Sequence, residues 1–460
     1  MTTENSSFGA LALALLVAAV LVSAGAVAVF QSGGLGDGGT TGADAESVGS
    51  DESNLTVEWL SDTGRNVSGN HHVAVGGTVD GRPLAFAPIS GEDHQQGTAG
   101  VHNHSHGQVD SGASAASGCG LVALDGESGE SDWTYEVSPE NCTIHSVADP
   151  TLADADGDGV REVLATSTER TVVAFDPTSG DVEFEYNLSS YGYTRPLVAD
   201  LTGDGDREIL AVDVNANVFA VTPDGEAVWT TKLPASYVWG QPQLDDFDGD
   251  DAPELAVATG GGRLFMLDGD GSVVWNRSVS DGDSVTWFAA GDVDGDPGTE
   301  LVTATTGGNV SAFDGEGSRL WRENFGSYAA VRGVGDGDDD GTPEVYVTAR
   351  DGSLRAVEGP TGSVEWTTSL TTVNVQMTPP PVLGDVDGDG DEEIVAPSNG
   401  GRVAVVDPAS GEILASHERE TSIWTNPTLT DVDGDGDTEI LVMYGDGRVA
   451  ALSYDSSGEP

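Results

Sequence analysis

Short apolar runs recur along residues 54–460 in a fixed order, with a repeat of about 46 residues. Each repeat contains an acidic Asp-Gly segment and then a run such as EVLA. A second run such as TVVAFD follows, and after a Gly-rich turn comes a third that usually carries a tryptophan. Apolar runs this short, bounded by glycine-rich turns, are typical of β-strands. Together with the segment that precedes the acidic loop, they predict four strands per repeat, the number in a β-propeller blade.

Two strand types can be counted along the chain, and each occurs eight times. The TVVAFD-type strands begin at Gly120, Thr171, Asn217, Arg263, Asn309, Ser353, Arg402 and Arg448. The tryptophan-type strands have Trp59, Trp133, Phe184, Trp229, Trp275, Trp321, Trp366 and Leu414 at the marker position.

The order of strands at the two ends of the chain predicts how the ring closes. The last TVVAFD-type strand has no tryptophan strand after it, and the first tryptophan strand has no partner before it. Residues 55–60 are therefore expected to complete the final blade, which removes the exposed edges of an open array. The predicted fold is all-β: an eight-bladed β-propeller of four-stranded blades, closed by an N-terminal strand and preceded by one transmembrane helix.

The acidic segment occurs seven times with the pattern D-x-[DT]-x-D-x-x-x-E. Calcium takes six to eight oxygen ligands at about 2.3–2.6 Å. Side chains at positions 1, 3 and 5, the carbonyl at position 7 and the glutamate at position 9 provide such oxygens. An EF-hand differs, because its glutamate is at position 12 and its loop lies between helices. The alternative is that these segments are only acidic hairpin turns, but seven copies in register favour about seven structural Ca²⁺ ions.

The predicted calcium ligands are Asp154, Asp156, Asp158, Val160 and Glu162; Asp200, Thr202, Asp204, Asp206 and Glu208; Asp246, Asp248, Asp250, Ala252 and Glu254; Asp292, Asp294, Asp296, Gly298 and Glu300; Asp336, Asp338, Asp340, Thr342 and Glu344; Asp385, Asp387, Asp389, Asp391 and Glu393; and Asp431, Asp433, Asp435, Asp437 and Glu439. The first blade is expected to lack calcium, because Val75, Gly77 and Val79 take the places of the side-chain ligands.

The net charge of −61, from 78 acidic and 17 basic residues, restricts the possible partners. It excludes nucleic acid and anionic lipid surfaces as favourable ones. Self-repulsion of this size destabilises a compact fold unless salt screens it, so the chain is interpreted as a halophilic protein. Lys232 is the only lysine, which fits that interpretation.

The N-terminal region predicts a membrane anchor. Residues 8–30 are uncharged and apolar or small, and about 20 such residues span a bilayer. A cleaved signal peptide is the alternative, but its apolar region is usually about 7–15 residues and follows basic residues, which are missing from the tail at 1–7. Residues 31–53 are rich in Gly, Ser and Asp, which predicts a flexible linker. The domain at 54–460 is expected outside the cytoplasm of a single-pass cell-membrane protein.

Cysteines and sequons agree with an extracytoplasmic location. The chain has two cysteines, Cys119 and Cys142, which are predicted to form a disulfide that pins an insertion at 91–118. Eight N-x-[ST] sequons indicate a glycoprotein. They begin at Asn5, Asn54, Asn66, Asn103, Asn141, Asn187, Asn276 and Asn309.

The insertion carries the run His102, His104 and His106. Alternate imidazoles on an extended segment can bind Zn²⁺ or Cu²⁺. A polar loop in which histidine is merely tolerated explains the same run. By strand order the insertion lies on the face opposite the acidic loops, together with His145. The aromatic residues that precede the first strands are expected on the same face; they are Tyr193, Trp239, Trp287 and Trp424. These aromatic residues can line a funnel for a ligand, or they can only close the central channel by packing.

Two families resemble these repeats. The stretches GPTGSVEWTTSL and DGDGSVVWNRSV resemble the PQQ-like propeller repeat of quinoprotein dehydrogenases and of an outer-membrane assembly scaffold, and the acidic loops resemble the FG-GAP repeats of integrin α-subunits. The resemblance covers about residues 54–458. A quinoprotein would imply an adjacent cysteine pair and basic residues holding the quinone carboxylates. The chain has no such cysteine pair, so PQQ is not expected as a cofactor.

The function that follows is a membrane-anchored, calcium-stabilised scaffold, a monomeric propeller that binds a protein or glycan ligand. The sequence has no nucleophile elbow, phosphate loop or HExxH motif, so no catalytic residue is assigned. The alternative is a metal-dependent or quinoprotein-like enzyme with its site on the insertion face.

Overall fold

The computed structural model describes residues 53–91, 118–142, 147–235, 237–280, 282–296, 298–371 and 375–456. In these ranges 33 strands form eight sheets, each one blade of a β-propeller. The predicted anchor lies outside the described residues, as do residues 31–52 of the predicted linker and residues 92–117 of the insertion, with His102, His104 and His106. Ser53, predicted as the last linker residue, belongs to strand β1 instead. In the described ranges no helix is long and apolar enough to cross a membrane.

The strands of the first four blades are as follows. Blade 1 contains β3 (Val75–Val79), β4 (Arg82–Ile89), β5 (Cys119–Asp125) and β6 (Ser131–Val137). Blade 2 contains β7 (Thr151–Ala153), β8 (Glu162–Thr166), β9 (Thr171–Phe175) and β10 (Val182–Asn187). Blade 3 contains β11 (Leu197–Ala199), β12 (Glu208–Val212), β13 (Asn217–Val221) and β14 (Ala227–Lys232). Blade 4 contains β15 (Gln243–Asp245), β16 (Glu254–Thr259), β17 (Arg263–Leu267) and β18 (Val273–Ser278).

The remaining blades follow the same order. Blade 5 contains β19 (Val285–Gly291), β20 (Glu300–Thr305), β21 (Asn309–Phe313) and β22 (Arg319–Asn324). Blade 6 contains β23 (Ala330–Gly335), β24 (Glu344–Thr348), β25 (Ser353–Glu358) and β26 (Val364–Ser369). Blade 7 contains β27 (Val382–Gly384), β28 (Glu393–Pro397), β29 (Arg402–Val406), β30 (Ile413–Glu418) and the short β1 (Ser53–Asn54). Blade 8 contains β31 (Thr428–Thr430), β32 (Glu439–Met443), β33 (Val449–Ser453) and β2 (Thr56–Leu60).

The N-terminal strand completes blade 8. Strand β2 pairs antiparallel with β33, from Thr56 opposite Ser453 to Leu60 opposite Ala450. First strands of neighbouring blades contact one another, including β31 of blade 8 and β3 of blade 1, so the first strands surround the propeller axis. Strand β1 was not predicted; it pairs in parallel with β30 and gives blade 7 a fifth strand.

Burial follows the position of each strand in its blade. The second strands, such as β8 and β12, are buried at every residue, because neighbouring strands cover their edges and neighbouring blades cover their faces. This explains their continuous apolar sequence. The outer strand β14 alternates between exposed and half-buried residues, as expected where one face meets solvent.

The tryptophan of the outer strand joins each blade to the next. Trp275 Nε1 donates to Gly315 O at 2.8 Å, and its indole covers Gly317, where a Cβ would lie 3.0 Å from the ring. Five other tryptophans repeat the hydrogen bond with the next blade: Trp59, Trp133, Trp229, Trp321 and Trp366. Phe184 takes this position in blade 2 and has no side-chain N–H to donate. In blade 7 the prediction of Leu414 was wrong by one residue: Ala415 pairs with Val405 as Trp275 pairs with Met266, and it has no side-chain donor either.

Blade 1 differs where the other blades carry acidic loops. Its first two strands are joined by Asp80 and Gly81, with φ of 51° and 75°, and Val79 pairs with Arg82. Positive φ at both central residues defines a two-residue type I′ hairpin, for which Asp-Gly is a favoured sequence. Two residues are too few to form the nine-residue acidic loop that the other seven blades have at this place.

Candidate functional site

The seven acidic loops connect the first and second strands of blades 2–8, and their closing glutamates are held in one way. Each of these glutamates begins a second strand and is buried. Its Oε2 accepts the backbone N–H of the second loop residue, as in Ala155 to Glu162 at 2.7 Å. The other six loops repeat this bond at Glu208, Glu254, Glu300, Glu344, Glu393 and Glu439. Each closing carboxylate is thereby turned back toward its own loop.

The aspartates of the loops shape the backbone. In six loops the first aspartate accepts the N–H of the glycine three residues later, as in Gly388 to Asp385 at 2.7 Å. The aspartate at position 5 accepts the N–H of residue 7 in all seven loops, as in Thr342 to Asp340 at 2.8 Å. These hydrogen bonds occupy some of the acceptor sites on each carboxylate. They also hold the carboxylate oxygens that accept no hydrogen bond close to one another.

The loop of blade 6 gives the clearest test of whether a cation fits. One oxygen from each of Asp336, Asp338, Asp340 and Glu344 lies within 4.8 Å of the others. Asp336 Oδ1 and Glu344 Oε1 are buried and have no hydrogen-bond partner among the described residues. A buried anionic oxygen without a donor is costly. An all-oxygen set of this kind suits a hard cation such as Ca²⁺.

Other loops bring their oxygens equally close. Within the same 4.8 Å limit lie Asp154, Asp156 and Glu162; Asp246, Asp248 and Asp250; Asp292, Asp294 and Glu300; and Asp385, Asp387 and Glu393. Burial, with repulsion from the nearby aspartates, raises the pKa of most closing glutamates to about 7: Glu162, Glu254, Glu300, Glu344, Glu393 and Glu439. A divalent cation bound there would favour their ionised forms.

The blade 2 loop has an additional partner that the sequence did not suggest. Arg207, from the next blade, forms an ion pair with Asp154, with Nη1 and Oδ2 3.0 Å apart. Asp154 is the first ligand in its predicted calcium site. Its carboxylate is therefore shared between the loop and an arginine.

Aromatic residues gather on the face where the chain begins the first strand of each blade, here called the upper face. Tyr237 and Trp239 stack with ring planes 5° apart and centroids separated by 6.0 Å, and Tyr193 meets Trp239 edge-on at 4.8 Å. Trp239 is 38% exposed. Trp287 lies within β19 and is half-buried. The aromatics in blades 3 and 4 are therefore a contiguous group, whereas His145 lies outside the described residues.

A polar group that the sequence analysis did not predict lies near the starts of the first strands and is here called the channel cluster. It consists of His72, Asp149, Arg195 and Gln241, together with Arg332 of β23, whose charge acts on those of Arg195 and Asp149. Asp149 Oδ1 lies 2.8 Å from His72 Nδ1, and Oδ2 accepts from Gln241 Nε2 at 2.5 Å. Gln241 Oε1 accepts the backbone N–H of Arg195 at 2.7 Å. The one sequence signal was the 46-residue repeat, which places Asp149, Arg195 and Gln241 at equivalent positions in blades 2–4.

A disulfide joins Cys119, the first residue of β5, to Cys142, 23 residues later. Both cysteines are buried in the core between blades 1 and 2. In addition, the backbone N–H of Cys119 lies 2.7 Å from Cys142 Sγ. The bond holds the segment after β6 against the start of β5.

The family model described as outer membrane protein assembly factor BamB matches residues 56–238, 156–338 and 290–458. BamB from Moraxella catarrhalis is 17% identical, with a TM-score of 0.53 over 74% of this chain and 94% of that chain. The V. cholerae biofilm matrix protein Bap1 is 14% identical, with a TM-score of 0.62 over 88% and 92%. Quinohemoprotein alcohol dehydrogenase from Comamonas testosteroni is 12% identical, with a TM-score of 0.61 over 88% and 78%. No curated protein is significantly similar in sequence. At such low identity these structures share the fold alone.

Proposed function

The chain belongs to the outer membrane protein assembly factor BamB family, and from this premise we propose that it is a calcium-stabilised, extracytoplasmic scaffold that binds a protein partner. A PQQ-like propeller is a rigid ring that presents loops on two faces. The acidic loops lie on one face and bear oxygens suited to cations. The aromatic group lies on the upper face and is available for contact.

The observation that carries the calcium proposal is the pair of buried, unpartnered oxygens, Asp336 Oδ1 and Glu344 Oε1, inside a group of four carboxylates. A Ca²⁺ ion would satisfy both oxygens and cancel their mutual repulsion. The same loop architecture in seven blades, resembling FG-GAP repeats, supports seven structural ions. In this proposal calcium stabilises the fold and takes no part in a reaction.

Elemental analysis of the full chain tests this proposal. The protein is purified in molar KCl, dialysed against metal-free buffer containing the same salt, and analysed for bound metals. We expect about seven calcium ions per chain. Calcium well below one ion per chain would contradict the proposal. One equivalent of zinc or copper would favour the alternative of a metal-dependent enzyme at His102, His104 and His106.

The upper face is the proposed partner-binding surface. Exposed aromatic residues dominate the energetics of many protein interfaces, and Tyr237 and Trp239 are 39% and 38% exposed. Tyr237 also has a φ of 64°, an uncommon conformation for a bulky residue and one often found at functional sites. The family and these residues together favour a protein ligand, with a glycan as the second candidate, since aromatic rings also stack on sugars.

Site-specific photo-crosslinking in the native cells tests this surface. A photoreactive residue replaces Trp239 in one variant and Leu320 in another; Leu320 lies on the outer strand β22 and is equally exposed, at 38%. We expect a discrete protein adduct at position 239 and none at 320. Equal crosslinking at both positions, or a crosslinked glycan without protein, would contradict a protein-binding upper face.

The location of the propeller is part of the same proposal. Residues 8–30 are proposed as the membrane tether and residues 31–53 as the linker, which would leave the propeller outside the cytoplasm where calcium is abundant. The net charge of −61 supports function at high salt. Protease treatment of intact cells should degrade the propeller; protection until the membrane is opened would contradict this location.

A further inference from the structure

Among the residues that the structure describes, the two arginines of the channel cluster have no ionic partner of their own, although the chain has a large excess of acid. Arg195 precedes β11 in blade 3, and Arg332 lies in β23 of blade 6 at a bulge between Val331 and Val334. Other arginines, such as Arg82 and Arg419, form ion pairs with aspartates. Among the described residues no carboxylate lies within 4.0 Å of the guanidinium of Arg195 or Arg332, and Arg195 Nε is buried without a hydrogen-bond partner.

Asp149, the carboxylate whose charge acts on both arginines, already accepts hydrogen bonds from other donors. Asp149 Oδ1 receives the backbone N–H of Val73 at 3.1 Å and faces His72 Nδ1 at 2.8 Å, while Oδ2 receives Gln241 Nε2. These bonds connect blades 1, 2 and 4 across the ring and fix the orientation of the carboxylate. Asp149 therefore offsets part of the positive charge from a distance but does not pair with either guanidinium.

The arginines interact with each other through their charges. Burial lowers the pKa of Arg195. Burial, and next the charge of Arg195, lower the pKa of Arg332 to about 10. Placing two like charges together in a desolvated site is unfavourable unless an anion lies between them. With Asp149 counted, the three charged side chains carry a net charge of +1, which matches one monovalent anion.

From these contacts we propose that the channel cluster binds a carboxylate between Arg195 and Arg332. The planar guanidinium donates two parallel N–H groups, which match the two oxygens of a carboxylate. The rings of Tyr193 and Trp239 lie next to each other at the same end of the channel and would contact an apolar group attached to the carboxylate. The carboxylate can come from a free small acid or from the C-terminus of a bound peptide. This inference does not depend on the proposed function.

An NMR titration of the full chain in constant KCl tests the proposal with phenylacetate labelled with ¹³C at its carboxyl group. We expect saturable broadening and a shift of this resonance. Phenylacetamide, which has the same shape without the charge, should not compete. A short peptide should compete as its free acid and not as its amide if the cluster accepts chain termini; competition by phenylacetate alone would assign the site to free acids.

Variants of the two arginines test whether phenylacetate binds at the channel cluster. R195Q and R332Q should each weaken phenylacetate binding by about tenfold or more, because a charge-assisted hydrogen bond is lost. R319Q is the matched control, since Arg319 is exposed on β22, and it should bind as the wild type does. Circular dichroism establishes that each variant is folded.

Three outcomes would overturn the proposal. The first is an absence of saturable binding by the wild type. The second is equal binding by folded R195Q, R332Q and R319Q. The third is competition by phenylacetamide as strong as by phenylacetate, which would show that the ring and not the charge is recognised. If an arginine variant fails to fold, the competition between phenylacetate and phenylacetamide for the wild-type protein still shows whether a carboxylate is recognised.

Discussion

Replacing Asp336 by asparagine should change the stability of the propeller in opposite directions with and without calcium. The substitution keeps the shape of the side chain and removes one charge from a group of four carboxylates whose oxygens lie within 4.8 Å of one another. Two unit charges at that distance repel by about 0.9 kcal/mol in bulk water, and by more where water is partly excluded. Without calcium the variant should therefore be as stable as the wild type or more stable.

With calcium the order should reverse, because the wild type gains more from the ion. A ligand at 100 times its Kd stabilises the folded state by about 2.7 kcal/mol. The entropy of unfolding is about 2.1 cal/mol/K per residue, so a propeller of roughly 400 residues loses about 3 °C in Tm when it loses one such site. D336N should also bind one calcium ion fewer per chain.

Thermal melting followed by circular dichroism measures both effects, at one KCl concentration and with either EGTA or excess calcium. E323Q is the charge-matched control, because Glu323 is exposed on β22 and away from any acidic loop. Its Tm should respond to calcium as the wild type does. If D336N shows the same Tm difference from wild type in both conditions, the blade 6 loop does not bind calcium and the oxygens of Asp336 have only a turn-forming role.

Three further predictions concern the framework around the sites. W229F removes the Nε1 donor to Gly269 O and should lower the free energy of unfolding by about 1 kcal/mol in a denaturant titration; an unchanged midpoint would refute an energetic role for this bond. Replacing both Cys119 and Cys142 by serine should cost about 3 kcal/mol in the same assay, because the disulfide closes a loop of 23 residues, and a reducing agent should then have no further effect. Burial lowers the pKa of His71 to about 4, below the ordinary value of about 6.5. The unfolded chain therefore binds more protons between these values, and stability should fall as pH drops from about 6.5 toward 4. H71Q should lose this component, and an identical pH profile for the variant would refute the assignment.

The blade count and most strands could be predicted because their signals are local. A continuous apolar run before a Gly-rich turn is enough to identify a second or third strand, and the predicted starts at Thr171, Asn217, Arg263, Asn309 and Ser353 are confirmed. The closing position of residues 55–60 followed from counting strand types. The acidic loops could be recognised in the same way, because all their ligands lie within nine residues; calcium itself stays a prediction.

The remaining features depended on distances that only the folded ring determines. Strand β1 pairs with β30 from more than 350 residues away, and its two residues carry no apolar pattern. The bond from Gln241 to Asp149 spans 92 residues, and Arg332 enters the channel cluster through a bulge in β23. The sequence by itself determined which strands each blade contains, because in blades 1–6 all four strands pair within one repeat. The tertiary structure decided which side chains meet at the axis, because closing eight blades into a ring brings together positions that no local pattern relates.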